Sequence, residues 1–371
     1  MSSEPSLRPI DLDPLSADPL ISVLIPVKNY GRFIGDAINS VLVGSYANLE
    51  LIVCDDGSTD ESLAVIRKYA RIDDRIKVIE KPNGGQASAL NAAFTNCRGA
   101  IICILDADDT FHPDKLSRIA NYYQSHPDIG VVVHPMILMD SKGRHSDRIP
   151  FLSKFEQGWI GDKLIRRGGR WRFMPSSALS FRREVSEYCF PIPEDRFRVN
   201  AEAFIFTILP LFTHVGYIRE PLSFYRMHGS NMSGEFSFTT KTLRYRECCM
   251  TIPNEAVNER LQSMGYPQRL DLSRNLDYAM IQFKLNMLED NPLGIRLQRY
   301  RDLFSLVLRD DLIGVGGKML VLLAHFVSLG LNPPGRHWVF NRMISPSPIK
   351  RFMQFFGPRN GFRRQKTLGR Q

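Results

Sequence analysis

Residues 99–116 read GAIICILDADDTFHPDKL and combine an apolar run, an acidic cluster and a helix start. Ala100–Leu105 is the most apolar of the strands that the sequence predicts, and its length is typical of a buried strand. Asp106 and Asp108 follow this strand directly. Pro113 then stands where proline is favoured, at the first position of a helix. The segment therefore predicts a strand, an acidic turn and a helix in direct succession.

The same succession of strand and helix recurs along the first part of the chain. Ser58 and Glu61 fit a capping box, which predicts that a helix starts there. Repeated strand–helix–strand units imply right-handed crossovers, hence an α/β, Rossmann-like fold with a mainly parallel sheet and helices on both faces. Besides Ala100–Leu105, the strands are predicted at Ile21–Pro26, Leu51–Cys54, Ile76–Ile79 and Ile129–His134.

Polar residues follow three of these strands. In open parallel sheets, ligands bind beyond the carboxyl ends of the strands. We therefore expect the three polar clusters to converge on one site. They are Pro26–Asn29, Asp55–Ser58 and Asp106–Asp109.

The pattern changes after residue 135. Asp140–Gly143 has the composition of a hairpin turn, Ala178–Phe181 and Val215–Ile218 are predicted strands, and Ala201–Leu209 is a predicted helix. From about residue 236 the apolar spacing is helical. We expect a flexible segment over 1–20, an α/β domain over 21–235, a helical region over 236–335 and a basic aromatic tail over 336–371.

The net positive charge lies in the last 60 residues. The chain has 48 Lys or Arg and 39 Asp or Glu, but ten of the basic residues and none of the acidic ones follow Asp311. Cations interleaved with aromatic residues suit an anionic membrane surface, and RNA phosphates or simple solvation are the alternatives. Met319–Leu331 is too short to span a bilayer, although it could lie in the interface.

The six cysteines are sparse and lack C-x-x-C spacing, which favours free thiols in a reducing compartment. Residues 1–19 contain four acidic residues and no apolar core, so they do not resemble a signal peptide. We expect a cytoplasmic protein, peripheral on the cytoplasmic membrane face. Nucleic acid is not expected as a partner.

Each acidic cluster has a structural explanation beside a functional one. Carboxylates at positions 106 and 108 are hard oxygen donors that suit Mg²⁺ or Mn²⁺ bound together with substrate phosphates. The same residues could instead be the acidic start of the following helix. Ser58 alone would serve as a helix cap, which leaves Asp55 and Asp56 available to accept a hydrogen bond from a uracil or guanine N–H.

Motifs of other enzyme classes are missing. No G-x-G-x-x-G follows the first strand, which disfavours a dinucleotide-dependent oxidoreductase. Residues 314–319 only imitate a P-loop, because Met follows the lysine. No zinc-type spacing of His and Cys occurs.

Several segments, in their order and spacing, resemble family 2 glycosyltransferases. They are ISVLIPVKN (21–29), SVL (40–42), LIVCDDGSTDES (51–62), NGGQASALNAAF (83–94), GAIICILDADDTFHPDKL (99–116) and YRMHGSN (225–231). The resemblance covers about residues 21–235. It implies a GT-A fold, a nucleotide-diphosphate sugar as donor and inversion at the anomeric carbon.

The resemblance also implies roles for particular residues. Asp56 matches the carboxylate that contacts the nucleotide base, with Asp55 beside it. Asp106 and Asp108 match the metal-binding D-x-D, Asp108 being the expected direct ligand of Mg²⁺ or Mn²⁺. Residues of the nucleotide-sugar site on the first strand and in the acidic turn are Pro26, Val27, Asn29, Asp106 and Ala107.

In this family the catalytic base is usually the Asp of a consecutive Glu–Asp pair. That pair is absent here, and Glu202 is the residue we expect in this role, with Glu194 and Asp195 as alternatives. Arg226 and His228 are expected to contact the donor diphosphate.

These residues predict an inverting, metal-dependent transfer of a sugar to a hydroxyl of a saccharide or lipid-linked acceptor, in cell-surface polysaccharide or glycoconjugate synthesis. A non-catalytic protein that binds sugar nucleotides on the same scaffold is the alternative. A nucleotidyltransferase acting on a nucleoside triphosphate is a third possibility.

Overall fold

A computed structural model describes residues 6–146, 155–172, 174–228 and 239–342. These residues divide into two units. The α/β unit contains residues 7–146, 155–161, 172 and 174–228. The helical unit contains residues 6, 162–171 and 239–342.

A seven-stranded sheet forms the centre of the α/β unit, in the spatial order β3-β2-β1-β4-β8-β6-β9. Only β8 runs against its neighbours β4 and β6, so the predicted mainly parallel sheet is confirmed. The seven strands are β1 (Ile21–Val27), β2 (Leu49–Asp55), β3 (Ile76–Glu80), β4 (Ile101–Ile104), β6 (Ile129–Val133), β8 (Leu179–Arg182) and β9 (His214–Tyr217). β5 (Thr110–Phe111), β7 (Met136–Asp140) and β10 (Ser223–Met227) form a second, smaller sheet in the order β5-β10-β7.

Helices cover both faces of the central sheet. Alternate residues of a strand point to opposite faces. Val23 and Ile25 point to one face and belong to one core with Ile34 and Ile119. Leu24 points to the other face and is buried where a further helix, α3, packs on β1. The helices of this unit are α1 (Gly31–Leu42), α2 (Ser62–Ala70), α3 (Gln86–Thr95), α4 (Lys115–Ser125), α6 (Arg183–Ser186) and α7 (Glu202–Ile208). All of α5 (Gly161–Arg166) except Gly161 belongs to the helical unit.

The start of α2 differs from the sequence prediction. The helix begins at Ser62, and no side chain caps it. Ser58 instead accepts a hydrogen bond from the backbone N–H of Asn29 at 3.0 Å. The predicted capping box therefore does not form, because the serine serves the neighbouring β1–α1 loop.

The segment before β1 also differs from the prediction of a flexible lead-in over 1–20. Leu7 is buried, and the backbone N–H of Ile10 donates to the carbonyl of Phe212 at 2.8 Å. Gln124 donates to the carbonyls of Ser16 and Ala17. These contacts tie residues 7–20 to the α/β unit.

Long helices make up the second unit. Arg170 bonds Asp277 at 2.7 Å and also contacts Asp310, which binds residues 162–171 to the C-terminal helices. Pro333 begins a helix, so the described part of the predicted tail, 336–342, is helical. Residues 343–371 lie outside the described residues. The helices are α8 (Thr240–Ser263), α9 (Leu276–Leu288), α10 (Leu293–Arg309), α11 (Val315–Leu329) and α12 (Pro333–Arg342).

The core of the helical unit comes mainly from α9, with Leu276, Phe283 and Leu285 buried against Leu303 and Phe340. None of the helices in the described part of the chain is both long enough and apolar enough to cross a membrane.

Candidate active site

The carboxyl ends of three neighbouring strands lie at one edge of the sheet. β1 lies between β2 and β4, and Val27 at its end pairs with Asp55 at the end of β2. On the other side, the backbone N–H of Leu105 donates to the carbonyl of Leu24 at 3.0 Å. Sheet topology therefore brings the three polar clusters to one edge, as the sequence predicts.

The loops after β1 and β2 are bonded to each other. Asn29 has a φ of 58°, and its Oδ1 accepts a hydrogen bond from the backbone N–H of Thr59 at 2.7 Å. Asp60 Oδ2 accepts from the backbone N–H of Gly31 at the start of α1. Pro26 is half-buried, Val27 is buried and Asn29 is exposed.

Three carboxyl groups crowd the turn after β4. Ser176 Oγ donates to Asp106 Oδ2 at 2.5 Å, and the Asp106 backbone N–H donates to Ser177 Oγ. Asp109 is buried, and its Oδ2 has no hydrogen-bond partner in the part of the chain that the structure describes. Ala107 is also buried.

Burial and mutual repulsion weaken the acidity of this cluster. Burial raises the pKa of Asp106 to about 8, and the charges of Glu202 and Asp108 contribute. Burial, followed by the charges of Asp108 and Asp106, raises the pKa of Asp109 well above its ordinary value. The pKa of the nearby Tyr30 hydroxyl is also raised, by burial and then by these carboxylates. Such a cluster favours the arrival of positive charge.

Glu202 is the first residue of α7, and its charge, like that of Asp108, contributes to the raised pKa of Asp106. Burial raises the pKa of Glu202, and a hydrogen bond with Gln86 opposes that shift. Its Oε2 is buried and has no hydrogen-bond partner among the described residues. A carboxylate with an unused oxygen and a raised pKa has the properties of a general base.

The two alternative bases have different surroundings. Glu194 Oε1 accepts a hydrogen bond from Asn91 at 3.0 Å, and this bond is the main cause that lowers the pKa of Glu194. Asp195 is exposed. Neither property suits a base that removes a proton from a hydroxyl, so the geometry favours Glu202.

Both carboxylate oxygens of Asp56 accept hydrogen bonds from neighbouring residues of the chain. Its Oδ1 accepts from Lys81 Nζ at 2.7 Å and from the backbone N–H of Gly84, and its Oδ2 accepts from the backbone N–H of Gly85. Asp55 Oδ2 accepts from the Ser58 N–H, while its Oδ1 is buried and unpaired among the described residues. Base contact by Asp56 stays a prediction, and its Oδ2, which accepts one of these bonds, has a further lone pair that can accept another.

Arg226 and His228 both lie against the acidic turn. Arg226 is buried, and its Nε donates to the Asp108 carbonyl at 2.7 Å while its Nη2 meets Asp36 Oδ2 at 2.9 Å. His228 Nε2 lies 2.8 Å from Asp108 Oδ2. Their predicted contact with a diphosphate remains a prediction, and their present contacts hold the D-x-D turn in place.

Lys115 and the Ser176–Ser177 turn are important residues that the sequence prediction missed. Lys115 Nζ is buried and donates to the Ser177 carbonyl at 2.7 Å and to Ser223 Oγ at 3.1 Å. The spacing of Lys115 from Ile119 and Tyr123 places it on the buried face of α4, a signal that helical periodicity contains. Ser176 and Ser177 carry no comparable signal, because they approach Asp106 from 70 residues away in the sequence.

The donor set at the turn fits a hard divalent cation. Asp106 and Asp108 supply oxygen atoms, and the repulsion among the carboxyls would be relieved by positive charge. Within the described residues, no group of three or more His, Cys, Asp and Glu side chains is arranged to hold a metal ion. The pair of carboxylates at Asp106 and Asp108 suits an ion that takes one or two protein carboxylates and completes its coordination with substrate phosphates.

A mainly parallel sheet with an acidic turn beyond β4, followed by a helical C-terminal region, defines a GT-A-type glycosyltransferase fold. The family model described as glycosyl transferase family 2 matches residues 22–190. An uncharacterized glycosyltransferase of Nostoc sp. is 35% identical over 266 residues, which are 71% of this chain and 82% of that protein. The chain belongs to glycosyl transferase family 2.

Other matches cover less of the sequence or are more distant. The hyaluronan synthase of Pasteurella multocida is 41% identical over 110 residues, which are 30% of this chain and 11% of that enzyme. The crystal structure of S. aureus TarS 1–349 with UDP-GlcNAc has a TM-score of 0.48 at 15% identity and covers 90% of this chain and 92% of that chain. The mannosyltransferase PcManGT from Pyrobaculum calidifontis, in complex with GDP-Man and Mn²⁺, has a TM-score of 0.47 at 18% identity and covers 94% and 91%.

Proposed function

We propose that this glycosyltransferase moves a sugar, with inversion, from a nucleotide-diphosphate sugar to a hydroxyl of a saccharide or lipid-linked acceptor, in the synthesis of a cell-surface polysaccharide or glycoconjugate. The observation that carries the proposal is the unpartnered, buried Oε2 of Glu202 in the same carboxyl cluster as Asp106. The family supplies the reaction class, and the unused oxygen of Glu202 supports its proposed role as the base.

Glu202 acts on the acceptor. Its Oε2 accepts the proton of the acceptor hydroxyl, so that the oxygen attacks the anomeric carbon from the face opposite the leaving diphosphate. One displacement of this kind inverts the configuration. A positioned general base contributes roughly 10²–10⁴-fold to the rate. The raised pKa of Glu202 makes it a stronger base than an ordinary glutamate, because its carboxylate binds a proton more tightly.

Asp106 and Asp108 would hold Mg²⁺ or Mn²⁺ against the diphosphate of the donor. A bound divalent cation supplies Lewis-acid stabilisation of the negative charge on the leaving diphosphate. Ser176 orients Asp106 through its 2.5 Å hydrogen bond, and Arg226 holds the backbone of Asp108. His228, whose Nε2 lies 2.8 Å from Asp108 Oδ2, would contact the diphosphate once Asp108 binds the cation.

The test compares two carboxylates by the same isosteric change. Glu202→Gln should lower kcat by at least 100-fold and leave the binding of UDP or GDP within threefold. Glu194→Gln should change kcat by less than tenfold, because Glu194 Oε1 accepts a hydrogen bond from Asn91 and its pKa is lowered rather than raised. Turnover is measured as nucleoside diphosphate release from a panel of sugar nucleotides with Mn²⁺. Unchanged turnover in Glu202→Gln would remove the base that we propose.

Metal use and the non-catalytic alternative are tested in the same panel. Asp108→Ala should abolish both turnover and the Mn²⁺-dependent gain in thermal stability with UDP or GDP. If the unaltered chain binds a sugar nucleotide and neither hydrolyses nor transfers it with any acceptor, the non-catalytic alternative holds. Stabilisation by UTP or GTP in preference to the diphosphates would favour a nucleotidyltransferase.

A further inference from the structure

Helix α11 presents its large apolar side chains to solvent. Three small or polar residues of this helix, Ala324, His325 and Ser328, are buried in the helical unit. Six large apolar residues are 45 to 77% exposed, namely Val315, Met319, Leu320, Leu323, Phe326 and Val327. A helix that packs on a protein core normally has the opposite arrangement, so the outward surface of α11 is suited to a second apolar environment.

The exposed surface continues onto α10, which packs against α11. Tyr300 of α10 joins the two helices, because its ring lies 5.8 Å from that of Phe326 and 6.3 Å from that of Phe304. Phe304 is itself 42% exposed. The "apolar face" is hereafter Phe304 together with the six exposed apolar residues of α11. All of it lies within the helical unit.

Basic residues accompany the apolar face. Arg299, Arg301 and Arg309 of α10 are exposed beside a single exposed acid of that helix, Asp302, and Lys318 lies on α11 itself, so basic residues are in excess. No Asp or Glu follows Asp311, whereas ten Lys or Arg do. A helix with apolar side chains outward and cations around them has the composition of one that lies in the plane of an anionic lipid surface. Each basic residue adds to the attraction toward anionic lipids.

The charge also distinguishes a bilayer from a second copy of the chain. A two-fold interface places the same surface of each copy against the other. Two surfaces of the same net positive charge would then face each other, which is unfavourable. An anionic bilayer neutralises this charge and accepts the apolar side chains as well.

We propose that the apolar face of α10 and α11 docks the protein in the plane of an anionic lipid bilayer, with the exposed arginines of α10 and Lys318 of α11 at the lipid headgroups. The apolar side chains enter the interface, and no helix spans the membrane in the described part of the chain. The docking surface belongs to the helical unit. It is therefore independent of the proposed glycosyl transfer and can be tested without an active enzyme.

The experiment is vesicle co-sedimentation of the full chain. Vesicles of phosphatidylcholine with 30% phosphatidylglycerol are compared with pure phosphatidylcholine. The double variant Leu323→Gln/Phe326→Gln changes two side chains that are each 59% exposed, so folding should be unaffected. The matched control is Val43→Gln/Ile72→Gln, because these residues of the α/β unit are 60% and 73% exposed. Circular dichroism and thermal melting establish that every variant folds.

We expect the unaltered chain and the control to bind the anionic vesicles, and the Leu323/Phe326 variant to bind at least tenfold more weakly. We also expect at least tenfold weaker binding to pure phosphatidylcholine. Equal binding by the Leu323/Phe326 variant would overturn the proposal and leave the basic tail as the membrane contact. A dimer that dissociates in this variant, without vesicle binding by any form, would overturn it in favour of a second copy of the chain.

Discussion

Lys115 allows a quantitative test of the packing beneath the acidic turn. Its ammonium group is buried, lies 3.6 Å from the centre of the Phe111 ring and donates to Ser177 and Ser223. Burial lowers the pKa of Lys115 from 10.5 to about 7. Because about 1.4 kcal/mol corresponds to one pKa unit, the folded protein disfavours the protonated form by about 5 kcal/mol.

The sign of the pH effect follows from proton binding. Between pH 10.5 and about 7, the unfolded chain binds a proton at Lys115 that the folded chain does not bind. The titration of Lys115 therefore leaves the free energy of unfolding unaffected above pH 10.5 and lowers it progressively as the pH falls toward 7. Lys115→Met keeps the length of the side chain and removes the titration. Ser223 Oγ still donates to the Ser177 carbonyl at 2.6 Å, so that carbonyl keeps a partner.

We expect the free energy of unfolding of Lys115→Met, relative to the unaltered chain, to rise by about 2 to 3 kcal/mol as the pH falls from 9 to 7. Urea unfolding followed by tryptophan fluorescence measures it, in a background of Trp171→Phe and Trp338→Phe. Trp159, in the α/β unit, is then the only tryptophan. Lys68→Met, which changes an exposed lysine of α2, should show no such trend. Parallel pH profiles for Lys115→Met and the unaltered chain would refute the reasoning.

Three further predictions concern other features. Gly85→Ala should lower the free energy of unfolding by about 1–3 kcal/mol, because Gly85 has a φ of +94° and a Cβ there would lie 2.5 Å from Arg198 Cα. Urea unfolding measures this change, and an unchanged midpoint would contradict the prediction. The acid limb of the pH profile of kcat/KM should lie above pH 4.5, because burial raises the pKa of Glu202 and a general base must be deprotonated to act. A pH–rate profile tests this, and an acid limb at or below pH 4.5 would contradict it. A thiol reagent should label Cys248 quickly and Cys249 more slowly in the native chain, because the other four cysteines are buried; labelling of all six at one rate would contradict this.

Local sequence patterns were enough to predict the central sheet. Apolar runs of strand length ended in polar clusters, and strand–helix alternation implied parallel pairing that places those ends together. The structure has that order around β1, with Val27 beside Asp55. The antiparallel direction of β8 could not be predicted, because no local pattern records which way a returning strand enters a sheet.

The site was predictable in part. Asp106 and Asp108 could be identified because they follow the most apolar strand directly. The relation of Glu202 to Asp106 spans 96 positions of the sequence and rests on how α7 packs, so the sequence offered Glu194 and Asp195 as alternatives. Ser58 shows the reverse case, in which a valid local motif lost to a tertiary contact with Asn29.

The sequence by itself determined the alternation of strands and helices, the place of the acidic turn and the excess of cations after Asp311. These features depend on the spacing of apolar and charged residues along a continuous segment. Only the tertiary structure decided that Lys115 is buried, that Asp56 bonds to the 81–85 loop and that α11 turns its apolar side chains outward. Those features depend on which distant segments pack together, because burial and hydrogen bonding are properties of neighbours in space.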